Sequence, residues 1–81
     1  MTKQFESWKD FLAEWGDRVN NGLNLLVQLE ICPEFNMITV YIAQIRKGRL
    51  MHINVVNMDD QFEGARLWFK DYARRPKVVE G

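Results

Sequence analysis

The sequence predicts an α+β domain with the order α-β-β-β-α, a three-stranded antiparallel sheet with two helices packed on one of its faces. Three observations predict it. Residues 25–57 alternate in polarity with the two-residue period of strands, two turn signals divide that stretch, and an apolar stripe at helical spacing flanks it on each side.

In the first flank Phe5, Trp8, Leu12, Trp15 and Val19 recur every three or four residues, and Phe11 widens the stripe. The spacing predicts an amphipathic helix over about 3–20, with Glu6, Asp10, Glu14 and Asp17 largely on its other side and Glu14 one turn from Arg18. Asn20-Asn21-Gly22 supplies a stop, because Asn and Gly accept the left-handed conformation that ends helices. A stripe carrying two tryptophans is core material, and it should cover an apolar sheet face.

Three strands follow, Leu25–Cys32, Met37–Arg46 and Arg49–Asn57, separated by Pro33-Glu34-Phe35-Asn36 and by Lys47-Gly48. Lys47-Gly48 suits a two-residue hairpin loop, since Gly tolerates positive φ. Pairing outward from it sets Ile42 opposite Ile53, Tyr41 opposite Asn54, Ala43 opposite His52 and Val40 opposite Val55. The first turn sets Ile31 opposite Ile38, Leu29 opposite Val40 and Val27 opposite Ile42. One face then holds Leu25, Val27, Leu29, Ile31, Ile38, Val40, Ile42, Met51, Ile53 and Val55, with Gln44 near the tip. A one-residue slip in either hairpin would scatter that set. The other face holds Leu26, Gln28, Glu30, Thr39, Tyr41, Ala43, Ile45, Leu50, His52, Asn54 and Val56, with Tyr41 at its centre.

The second helix is predicted to open at Asp59-Asp60, where Asp60 and Glu63 have the spacing of a capping box and suit the helix dipole. Phe62, Ala65, Phe69 and Tyr72 form its stripe, with Trp68 at the border. Gly64 costs about 1 kcal/mol relative to Ala inside a helix, so close approach to the sheet is its expected compensation. Pro76 disfavours helical geometry in the residue before it, which ends the helix at Arg74-Arg75 and leaves 77–81 as a frayed tail.

At 81 residues the chain is a single small domain over 1–81. Its 47% hydrophobic content suffices for a core, and its 27% charged content is ordinary for a soluble protein. No apolar run reaches the roughly 20 residues that span a bilayer, so no membrane role is expected. The start shows no secretory signal, and one cysteine cannot form an internal disulfide, so a reducing cytoplasm is the expected compartment. Net charge is zero but uneven: residues 1–41 carry three basic and six acidic side chains, residues 42–81 eight and five. Such asymmetry steers partners more than it defines them.

No catalytic, metal or cofactor motif emerges. His52 lacks a nameable orienting partner, Cys32 sits in a turn with no histidine placed to activate it, and one His with one Cys falls short of a metal ligand set. No glycines form a phosphate loop. An enzyme is therefore not expected, and neither is a cofactor.

Basic residues gather at the second hairpin tip, Arg46, Lys47 and Arg49, and at the end of the last helix, Arg74, Arg75 and Lys77. The order α-β-β-β-α resembles that of double-stranded-RNA-binding domains, which dock on shape and phosphates. Those domains begin their final helix with lysines. Here Asp59-Asp60-Gln61-Phe62-Glu63 stands there and repels a phosphate backbone, so the likeness covers topology and no motif. Helix-terminal cations are equally explained by the dipole.

The remaining signal is the open face. A mixed aromatic and polar patch made of Gln28, Thr39, Tyr41, Ile45, Leu50, His52 and Asn54 suits an interface. The sequence therefore points to a non-enzymatic interaction module, an inhibitor, adaptor or regulatory protein. It is expected to meet a protein partner of unknown identity or to form a homodimer. Nucleic-acid binding through the basic clusters is the alternative. Short chains without motifs are common in bacteria and phages, which is an association and not a physical argument.

Overall fold

A computed structural model describes residues 2–20 and 22–75. The fold is α+β, with two helices and a four-stranded mixed sheet instead of three antiparallel strands. Its elements are β1 (Thr2–Phe5), α1 (Trp8–Trp15), β2 (Asn24–Cys32), β3 (Met37–Gln44), β4 (Arg49–Val55) and α2 (Phe62–Arg74), with short 3-10 turns at Arg18–Asn20, Pro33–Phe35 and Asp59–Gln61. The sheet order is β1-β4-β3-β2. The extra strand departs from the α-β-β-β-α order and from the topological likeness built on it.

The predicted helix over 3–20 is thus divided. Residues 2–5 pair in parallel with β4, Lys3 beside Ile53 and Phe5 beside Val55. The helix starts only after Ser7, whose extended backbone and side chain cap it by accepting from the Asp10 amide at 3.1 Å. Phe5 still joins the core, but from a strand, meeting Phe11 edge to face at 5.9 Å. Phe11, fully buried, is the centre of the α1 stripe, while Leu12 is only partly buried. The helix also ends early, at Trp15 with the Gly16 amide closing on the Leu12 carbonyl, and not at the stop expected over Asn20-Asn21-Gly22, although Gly22 does take φ 82°.

The β3–β4 hairpin has a four-residue loop, Ile45–Gly48, instead of two residues. Lys47 and Gly48 amides return to the carbonyls of Gln44 and Ile45, and Gly48 takes φ 60°. The pairing consequently sits two residues from the expected one: Tyr41 faces His52, Val40 faces Ile53 and Ile42 faces Met51. A two-residue displacement keeps every side chain on its face. Ile38, Val40, Ile42, Met51, Ile53 and Val55 accordingly form the buried set, with Gln44 at its end.

The β2–β3 hairpin keeps Ile31 opposite Ile38 and Leu29 opposite Val40, but the register shifts between Leu26 and Gln28. Val27 is the extra residue of a β-bulge. Leu26 pairs with Ile42 and is buried, whereas Val27 is exposed and Leu25 lies opposite Ala43. The expected placement of Leu25 and Val27 in the core and Leu26 outside is therefore reversed.

One hydrophobic core joins the inward sheet residues to Trp8, Phe11, Trp15 and Val19 from the first half and to Met58, Ala65 and Tyr72 from the second. Phe62, Trp68 and Phe69 pack at its margin. Trp8 stacks on Phe11 at 4.9 Å and meets Trp68 edge-on at 5.8 Å, an aromatic contact that links α1 to α2. The capping box at Asp60 does not form. A 3-10 turn leads into α2 without a side-chain cap, and Asn36 fixes that entry by accepting from the Asp59 amide at 2.6 Å. Gly64 is exposed with open space where a side chain would project, so it does not serve close approach to the sheet. Pro76 and the 77–81 tail lie outside the described residues. Among the described residues no helix is long and apolar enough to cross a membrane.

Candidate interaction face

The sheet face turned away from both helices is arranged in rows across the strands. Leu25, Ala43 and Leu50 make one row. Gln28, Tyr41 and His52 make the next, with Val27 bulging beside Gln28. Glu30, Thr39, Asn54 and Gln4 make the third. Tyr41 is thus flanked by His52 and not by Asn54. Its ring meets the His52 ring edge-on at 4.8 Å. In the third row the Thr39 hydroxyl donates to Asn54 Oδ1 at 3.0 Å, which holds both short side chains flat and largely buries Thr39.

Six of the predicted residues, Gln28, Thr39, Tyr41, Leu50, His52 and Asn54, stand together on this face. Ile45 stands just beyond it, in the hairpin loop, tied to the Leu23 carbonyl through its amide at 2.9 Å. The apolar content is redistributed: Leu26 turns into the core, and Leu25 and Val27 take its place on this face. Val27 is 52% exposed, Leu50 46% and Ile45 37%, and Leu25 is half-buried. Val27 and Leu25 were missed because Leu25-Leu26-Val27 is apolar in either phase; only a bulge assigns the phase, and no residue in that run announces one. Ala43, Ile45, Gly48 and Leu50 line an open hollow of about 320 Å³ that wraps onto Gln44 and Arg49 behind the tip. At the other end of β3, in the β2–β3 turn, Phe35 projects with 72% of its surface exposed.

Charge is divided between the two ends of the sheet. At the β2–β3 turn the Asn36 amide group donates to the Asp59 carboxylate, and Asn57 donates to Glu6, gathering Glu6, Glu34, Asp59 and Asp60. At the other end Tyr72 reaches the Leu26 amide, so α2 finishes beside the end of the sheet that carries the hairpin tip. Arg46, Lys47, Arg49, Arg74 and Arg75 therefore share one end. Arg49 donates to Gln44 at 3.1 Å and Arg75 is paired with Asp71. Lys77 lies outside the described residues.

Burial pushes the Cys32 thiol up from its ordinary range, and the charges of Glu30 and Glu34 add to that, which disfavours the reactive thiolate. Among the described residues no group of three or more His, Cys, Asp or Glu is placed to hold a metal ion. Comparisons with protein-family models, curated proteins and solved structures return no match.

Proposed function

We propose that the chain is a non-enzymatic protein-interaction module, an inhibitor, adaptor or regulator, that binds through the open face of its sheet. The observation that carries this reading is the exposure of Val27 and Leu50 near the Tyr41–His52 pair, on a face that neither helix covers, with exposed Ile45 just past its tip end. A solvated sheet face normally presents charged and polar side chains; here an aliphatic row, an aromatic pair and a polar row lie side by side, a mixture that suits interfaces. Tyr41→Glu places a charge at the centre of that face without touching the core. Immobilised wild type should retain protein, its own chain included, that the Tyr41→Glu form fails to retain, while circular dichroism stays unchanged. Equal retention by both forms would move the contact to another surface.

A second reading is supported by the position of the α2 end, whose Tyr72 reaches Leu26, toward the same end of the sheet as the Arg46–Lys47 hairpin loop. Nucleic-acid binding there should weaken steeply with salt through counterion release. Reversing Arg46 and Lys47, or Arg74 and Arg75, should abolish it. Absence of any gel shift of duplex RNA or DNA by the wild type at low salt removes this reading.

A further inference from the structure

We infer that the occupant of the open face is a second copy of this chain, docked face to face about a two-fold axis that crosses the strands near Tyr41. This rests on the reading of that face as a protein-contact surface.

Two features of the molecule are complementary to each other. The first is shape: exposed Phe35 projects beyond one end of β3, and the hollow lined by Ala43, Ile45 and Leu50 lies at the other end. The second is charge: Glu34 stands beside Phe35, while Arg49 lines the hollow and Arg46 and Lys47 stand in the same hairpin loop, lining a neighbouring hollow with Leu23 and Asn24. Tyr41 lies near the middle of β3, between these two ends. A two-fold axis across the strands therefore exchanges the ends. It brings Phe35 of each copy toward the hollow of the other, and Glu34 toward Lys47, twice over as an isologous contact demands. An axis running along the strands would instead set Glu34 against Glu34 and Lys47 against Lys47, which like-charge repulsion disfavours.

The face is small. Its strands hold 4, 9, 8 and 7 residues, which at about 3.3 Å per residue and about 4.8 Å between strands give a face of ~440 Å². Two copies then cover ~900 Å², at the low end where associations are weak. A modest, salt-sensitive dimer is the expected product.

The test is a charge exchange, read by sedimentation or native mass spectrometry across a concentration series. Wild type should dimerise, and Glu34→Lys alone or Lys47→Glu alone should each weaken self-association by about tenfold, because every dimer then holds two like-charge contacts. An equimolar mixture of the two variants should recover near wild-type affinity as a mixed dimer, since both contacts again join opposite charges. Phe35→Ser, at an exposed turn position, should also weaken the dimer. Both charge variants dimerising like the wild type, or a mixture that gains nothing, overturns the inference. So does a wild type that stays monomeric at high micromolar concentration. If such a monomer still retains other proteins through Tyr41, the functional reading stands and only the second copy is excluded; if Tyr41→Glu changes no binding at all, the functional reading itself has failed.

Discussion

The hydroxyl of Tyr72 accepts a hydrogen bond of 3.0 Å from the backbone amide of Leu26, and so joins the last turns of α2 to the strand where the bulge begins. Leu26 belongs to the edge strand, where a free amide is an invitation to strand pairing by another chain. The helix closes that position from within. Tyr72→Phe keeps the ring stacked beside Trp68 and Phe69 but leaves a buried amide without its acceptor. Stability should fall by about 1–2 kcal/mol. The urea midpoint measures it, and an unchanged midpoint would mean that the amide finds another acceptor.

Asn36 does two things for which only a few residue types qualify. Its backbone is left-handed, with φ 51°, and its side chain both accepts from the Asp59 amide and donates to the Asp59 carboxylate. Asn36→Ala should cost about 2 kcal/mol, from left-handed strain plus the lost bonds. Asn36→Gly removes only the bonds and should lose about half as much. Equal losses would show that backbone conformation contributes nothing there.

Gly64 offers the opposite sign. It lies exposed within α2, with nothing near the position a methyl group would take. Gly64→Ala should raise stability by about 1 kcal/mol through the helical preference alone. The same change at Gly48, where φ is 60°, should destabilise. A lower melting temperature for the Gly64 variant would contradict the geometry of the helix.

Acid should weaken one link between β1 and α1. The Glu14 carboxyl is held below its ordinary range, chiefly by the hydrogen bond from Lys3 and further by the charges of Lys3 and Arg18. A carboxyl depressed in the folded state contributes stability above its unfolded value and loses that contribution as pH falls through the folded value. Wild type should therefore exceed Glu14→Gln by most near neutrality, and the gap should close as pH drops below the ordinary glutamate range. The pair is partly exposed, so the gap should be small and shrink with salt. A gap independent of pH would assign the difference to packing.

The inward residues of β3 and β4 were legible because strand alternation survives any even displacement, even though the hairpin loop has four residues and not two. Tyr72, Ala65 and Phe69 were legible as the stripe of α2 for the corresponding helical reason. β1 was not, since Phe5 sits three residues before Trp8 and fits a helical stripe as well as a strand. Ser7 with Asp10 three residues on was the available sign of a later helix start. On the candidate face, Tyr41, Leu50 and His52 followed from alternation, whereas Val27 depended on a bulge that an all-apolar run conceals. The bond from Asp59 to Asn36 spans 23 residues and has no local signature.

The parallel pairing of Thr2 with His52 places the first strand against the last one to be synthesised. While the ribosome works through the residues between them, the leading segment has no ladder to join, and Phe5 waits in water. Closing so long a loop late slows folding and prolongs the time in which that segment is open to chaperones or to misplaced pairing. Strand β1 is thus expected to be among the last elements to find its seat.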